Sequence, residues 1–267
     1  MMKMKKLSAA LLAVLMAVSM MSCIVLGASA EPESGLGGPV KIEKVEADPK
    51  GIDVPGKDLP AGLLVVNSDW ADAVGLVSIK LDGITYRATL GYNAFAEIAD
   101  AAEAATVNAQ IYVAPGIYEA DITVQTGGMK IYGPYAGVSA NTEGNLSKGN
   151  PNRPSADVTS SMDATDEAVF TGIINFYQAG SNLTVDGLYL YGSSYFNLAE
   201  GGKYRVGTYV KNNIVNVTSA NLFAMDRGQN FNFMFENNRV LNANSIVTMG
   251  GMGDITEMCI RDSLSTE

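Results

Sequence analysis

The chain has 267 residues, 18 of them basic and 28 acidic, and no histidine. A net charge of −10 argues against nucleic acid and anionic membranes as partners. Without histidine the usual general base, the usual zinc ligand and every Ser-His or Cys-His device are excluded, so any chemistry must come from carboxylates, Lys, Arg or Tyr.

Residues 1–30 begin with Lys3, Lys5 and Lys6, run through an apolar stretch over 7–26 and end on Ala28-Ser29-Ala30 before Glu31-Pro32. A basic start, an apolar middle and a small-residue exit make a secretory signal peptide cleaved after Ala30. The protein is therefore expected to be secreted or at the cell surface, with no transmembrane segment after cleavage. Two alternatives stand beside this: an uncleaved anchor, because the apolar run approaches the roughly 18 residues of a span, and a lipidated Cys23, although Met20-Met21-Ser22 makes a poor lipobox. Removing three lysines leaves 15 basic against 28 acidic side chains, a net of −13. Ca2+ is the cofactor such an exported chain suggests, since carboxylates suit hard cations. No D-x-D-x-D-G loop is present, however, a solvated acidic face explains the charge as well, and no metal ligand is assigned. Cys23 falls in the signal and Cys259 in the last residues, so no disulfide framework supports the mature fold.

Residues 31–60, rich in Gly, Pro, Lys and Glu, read as a linker. Order is expected over 61–256. Leu76–Leu81 and Ile84–Thr89 flank Asp82-Gly83, a strong hairpin signal. Asn93 caps a helix through Ala105, with Phe95, Ile98 and Ala102 on one face, placed to cover the open end of what stacks after it. From Gln110 onward short strands alternate with Gly, Asn and Asp: Ile111-Tyr112-Val113, Ile122-Thr123-Val124, Met129-Lys130-Ile131-Tyr132-Gly133. Three units then align on Asp186-Gly187, Asn212-Asn213 and Asn237-Asn238, at spacings of 26 and 25 residues. A period in that range marks a solenoid. Each unit holds two or three short strands and no room for a helix, which points to a parallel β-helix. Alternation puts Leu183, Val185, Leu188 and Leu190 inward, followed by Val215 and Val217. The Asn pairs belong at a corner, where Asn tolerates left-handed backbone and its amide bonds the next Asn in the stack.

The last stretch, 257–267, reads as a non-native tail. Glu257-Met258-Cys259-Ile260-Arg261-Asp262-Ser263 resembles a translated sequencing adapter, so the native sequence is expected to stop near Thr256 within a longer protein. An uncovered stack end predicts poor solubility for this fragment and a monomer at full length.

Asn93-Ala94-Phe95-Ala96-Glu97-Ile98 with Ile111-Tyr112-Val113-Ala114-Pro115-Gly116-Ile117-Tyr118 resembles the opening of pectin-lyase-like proteins, in which a capping helix precedes an I-x-V-x-P-G-x-Y first coil. Ile131-Tyr132-Gly133, Ala168-Val169-Phe170-Thr171-Gly172 and Val185-Asp186-Gly187-Leu188 continue the likeness. The resemblance implies an all-β fold: a right-handed single-stranded parallel β-helix with an N-terminal hairpin and a short capping helix. It also brings pectate lyases, polygalacturonase-like hydrolases and pectin methylesterases into view. The hydrolases' Asn-Thr-Asp, Asp-Asp and Gly-His-Gly elements and the lyases' Trp-x-Asp-His and Arg-x-Pro-x-x-Arg elements are absent, and the lone Trp70 precedes the coils. Catalytic residues are therefore unassigned. Asp186, Lys211, Asp226, Arg227 and Glu236 are the acids and bases of interest, with Asp226-Arg227 readable as a lyase's metal ligand and base or as a loop ion pair.

Tyr189 and Tyr191 alternate with Leu188 and Leu190, so both rings are expected to face outward as a platform for sugar rings, unless a loop within 134–167 folds over them. The expected function is an exported or cell-surface β-helix that binds polysaccharide or cell-wall glycan as an adhesin-like or accessory module. The alternatives are a pectate-type lyase whose catalytic coils lie mostly beyond this fragment and a structural surface protein.

Overall fold

The computed structural model describes residues 42–43, 54–143, 145–157, 162–176, 182–198, 205–218, 221–225, 230–243, 245–249, 255–261 and 264–265. From Gln110 onward the chain circulates among three parallel sheets. It forms Gln110–Val113 in the first, Gly116–Tyr118 in the second and Ile122–Val124 in the third, then returns to the first with Met129–Tyr132. The next circuits use Ala168–Phe170 and Ile173–Phe176, then Leu183–Asp186, Tyr189–Gly192 and Tyr195–Leu198. Arg205–Lys211, Ile214–Val217 and Asn221–Met225 follow, and then Asn230–Glu236, Arg239–Asn242 and Ser245–Met249. Ile255–Arg261 and Leu264–Ser265 add a last strand to the first and second sheets. Each strand pairs in parallel with its counterpart one circuit on, for example Val185 with Val210 and Leu190 with Val215.

Strand alternation explains the interior. Ile111, Ile131, Val185, Val210 and Phe235 occupy one register column on the first sheet, and all are fully buried. Phe170, Leu190 and Val215 come from the second sheet, and Ile174, Phe196 and Phe223 from the third, into one continuous core. Phe196 and Phe223 stack at 4.6 Å. At about 25 cal/mol per Å2 of apolar surface removed from water, each such ring or aliphatic contributes about 1.5–3 kcal/mol. Leu183, Val185, Leu188, Leu190, Val215 and Val217 all point inward, as alternation requires.

The first circuit has no described strand beneath Gly116–Tyr118 or Ile122–Val124 in their sheets; the 3-10 turn Ser68–Trp70 packs at the first and a helix at the second. This helix, α1, spans Ile98–Ala104 and buries Ile98, Ala101 and Ala102 in the core. It is shorter than the spacing predicts. Ala94–Phe95 is a strand paired with Val65 and Val66, and the Asn93 side chain accepts a bond from the Thr89 amide at 2.7 Å rather than capping α1. Glu97 holds the cap position without a side-chain bond.

The hairpin Leu76–Leu81 and Ile84–Thr89 closes as expected, with φ of 49° at Asp82 and 72° at Gly83. Both values are left-handed, as a type I′ turn demands. Within the segment read as a linker, Ile42–Glu43 pairs antiparallel with Leu76–Leu81, and Lys57–Asp58 pairs in parallel with Ile84–Thr89, so that segment supplies two short strands.

The repeat differs by one residue from the sequence alignment. Asp186 pairs with Lys211, and Lys211 with Glu236, giving two steps of 25 residues. The equivalent corner residues are thus Gly187, Asn212 and Asn237, with φ of 76°, 54° and 55°. A corner requiring left-handed backbone selects Gly or Asn, and this selection is what shifts the register. Next to them Asn213 and Asn238 turn inward and are fully buried. The Leu188 amide donates to Asn213 Oδ1 at 2.8 Å, and the Asn213 amide donates to Asn238 Oδ1 at 2.8 Å. Their own Nδ2 groups donate to the carbonyls of Val185 and Val210. The expected asparagine ladder is present at this corner.

Candidate functional site

The second circuit interrupts its path with an insertion over 133–167, of which residues 144 and 158–161 lie outside the described set. It lies along the corner between the first and second sheets. Arg153 anchors it: the buried guanidinium donates from Nε and Nη2 to both carboxylate oxygens of buried Glu167, at 2.8 and 2.7 Å. It also donates to the carbonyls of Asn212 and Leu188 and lies 4.6 Å from the Tyr135 ring centre. The Asn141 Nδ2 donates to the Asn238 carbonyl at 2.9 Å, and the Gly137 amide to Asp186 Oδ1 at 3.0 Å. Burial pushes the Glu167 carboxyl above its ordinary value, against the pull of Arg153. It likewise pushes Asp186 up, against bonds from Asn212 and Gly137.

This insertion decides the two tyrosines. Both point away from the aliphatic stack, as alternation predicts, but Tyr189 is only 2% exposed while Tyr191 is 37% exposed. Tyr189 packs with Ala140, Ala156, Val169 and Ile214, and the insertion's Met162 and Ala164 join them. Of the two expectations, the covering loop holds for Tyr189 and the solvent-facing ring for Tyr191. Tyr191 remains at the surface, with its ring 6.0 Å from that of Tyr189 and tilted by 58°. Asn216, in register with Tyr191, donates from Nδ2 to the Tyr189 hydroxyl at 3.1 Å. Tyr189 thus holds both surface neighbours from below.

Tyr195 begins the third-sheet strand just past the corner and is half-buried, with Ile173 as its register partner. Behind it on the same outer side run Thr123, Asn175 and Asn197 in one column. Asn197 Nδ2 donates to Asn175 Oδ1 at 2.9 Å, forming an outer amide rung. Tyr191, Tyr195, Asn175, Asn197 and Asn216 therefore line a strip that wraps the corner between the second and third sheets. The asparagines had a sequence signal that went unused: each is the single polar residue in an apolar run, Ile173-Ile174-Asn175-Phe176, Tyr195-Phe196-Asn197-Leu198 and Ile214-Val215-Asn216-Val217. Such a residue marks the outward position of a strand buried on its other side.

The acids and bases take other places. Asp186, Lys211 and Glu236 share one outward column on the first sheet, with Asp186 buried beneath the insertion and the other two half-buried. Asp226 and Arg227 lie outside the described residues. Trp70 ends a short 3-10 turn and is buried. Among the described residues no group of three or more His, Cys, Asp or Glu side chains could hold a metal ion, and no helix is long and apolar enough to cross a membrane. Comparison with protein-family models gives no match, and neither do comparisons with curated proteins and with solved structures, so the fold and the strip are the ground on which function rests.

Proposed function

We propose that the three sheets form a right-handed single-stranded parallel β-helix of the pectin-lyase-like kind, and that the chain is an exported or cell-surface protein that binds polysaccharide through the strip at Tyr191 and Tyr195. The handedness follows from the rule that crossovers between parallel strands are right-handed in about 98% of cases. Exposed Tyr191 carries the binding proposal: its ring offers an apolar face for sugar C–H groups, and the neighbouring amides both donate and accept hydrogen bonds, as hydroxyl-rich ligands require.

Incubation of the full chain with insoluble cell-wall polysaccharide, followed by sedimentation, tests the binding. The expected result is depletion from solution that Tyr191→Ala weakens and Tyr92→Ala, at an exposed ring beyond the circuits, leaves unchanged. Equal depletion by both variants would reject the strip. Export is tested separately by N-terminal sequencing of protein recovered outside an expressing bacterium. It should begin at Glu31, and a retained 1–30 segment would reject cleavage.

A further inference from the structure

The ionic residues of the circuits are partitioned among the sheets. The first sheet carries Lys130, Asp186, Arg205, Lys211, Glu236, Glu257 and Arg261 within its strands. The eleven strands of the second and third sheets contain a single charged residue, Arg239. That residue is itself buried, with Nε donating to the Ala156 carbonyl at 3.3 Å beneath the insertion. In a chain of net charge −10, the strands of these two sheets, with buried Arg239 as their one charged residue, offer a ligand neither attraction nor repulsion, although the Asp121 carboxylate, just before Ile122–Val124, accepts from the Ile173 amide at 2.8 Å at the edge of this surface.

Polyuronates and other acidic glycans are lines of carboxylates. To bind them, an acidic protein must supply Lys or Arg at the site or bridge the two anions with cations, because its own field repels the ligand over about a Debye length, roughly 8–10 Å. The strands carrying Tyr191, Tyr195, Asn175, Asn197 and Asn216 supply neither cationic groups nor carboxylates. They supply rings and amides, which recognise C–H faces and hydroxyls. The outer column Thr123, Asn175 and Asn197, followed by Ala224, advances at the strand spacing of about 4.8 Å, so short uncharged side chains recur along the stack axis, two of them amides. We infer that the strip takes an uncharged glycan, seated across the corner over Tyr191 and Tyr195 of one circuit, and discriminates against acidic glycans. This inference rests on the polysaccharide-binding proposal and specifies its ligand class.

Affinity electrophoresis of the full chain through native gels containing a soluble neutral glycan (a β-glucan or galactomannan) or a polyuronate, each with and without Ca2+, tests it. Retardation is expected in at least one neutral gel, unchanged when salt is raised about tenfold, because no ion pair is screened. None is expected in polyuronate with or without Ca2+. Tyr191→Ala and Tyr195→Ala should each weaken the neutral-gel affinity by about five-fold, in line with the loss of one ring contact. Both variants should still melt in one cooperative transition, since neither ring belongs to the aliphatic core. Retardation by polyuronate alone would overturn the neutral-ligand inference and leave polysaccharide binding standing. No retardation in any gel would overturn both. Neutral-gel retardation that neither tyrosine variant changes would overturn the assignment to this strip.

Discussion

Arg153 and Glu167 show what one ion pair does when both partners are fully buried. Desolvating two charges costs several kcal/mol, which their two short bonds and the carbonyls of Leu188 and Asn212 offset. Removing one partner leaves the other charge uncompensated. Glu167→Ala is therefore expected to lower unfolding stability by about 3–5 kcal/mol in urea melts. Glu167→Ala with Arg153→Met should lose less than the two single changes added together, because no lone buried charge remains. Strict additivity would show that the pair is not coupled. Neither residue was legible in the sequence, since 133–167 has the Gly, Asn and Pro content of an ordinary long loop and only the fold brings Arg153 to the corner carbonyls.

Among the elements, the corner is the one most completely specified by residue type. Its left-handed positions carry Gly187, Asn212 and Asn237, and the adjacent inward positions carry Asn213 and Asn238. Asn213 accepts from the Leu188 amide and donates to the Val185 carbonyl, so truncation leaves the buried Leu188 amide without its acceptor and the Val185 carbonyl with one donor fewer. Asn213→Ala is expected to cost about 1–3 kcal/mol, the cost of one buried donor left unsatisfied, read as a lower urea midpoint with an unchanged slope. A loss under about 0.5 kcal/mol would mean that the ladder adds no net stability. Composition revealed these residues as corner formers, but the pairing by one residue was misassigned. The sequence aligns Asp186-Gly187 with the Asn pairs, whereas backbone handedness aligns Gly187 itself with Asn212. Helix α1 shows the same limit. Phe95, Ile98 and Ala102 are all buried, yet Phe95 is buried from a strand, because pairing with Val66 satisfies its backbone better than another helical turn would.

At the scale of the whole molecule, buried carboxyls set the response to pH. Burial raises Asp186 above its ordinary 3.8, and Glu97 and Glu167 above their ordinary 4.5. For each, the folded state holds its proton more tightly than the unfolded chain does. Their contribution to stability is therefore full below those ordinary values and is lost as pH rises through the raised ones. Asp58 and Asp163 are shifted down, the first by Arg87 and the second by Thr165, but both are at the surface, where solvent screens them. Self-repulsion of a chain at −10 acts in the same direction as the buried acids. The melting temperature is accordingly expected to be higher at about pH 5 than at about pH 8. A steady rise over that interval would contradict the burial of these groups.

The sequence by itself determined what depends on neighbours along the chain. Alternation chose which side chains face the core, Gly and Asn chose where the backbone turns left-handed, and the scarcity of charge in the later strands chose the character of two sheets. Only the tertiary structure decided which outward residues meet solvent. Tyr189 and Tyr191 have the same local pattern and the same outward orientation, yet one is covered and the other exposed. The difference comes from Ala140, Ala156, Met162 and Ala164, which are distant in sequence. They are held there by an arginine whose partners on the corner lie 35 and 59 residues farther along the chain. Burial is a property of everything that packs on a face, and no local period in the sequence encodes that.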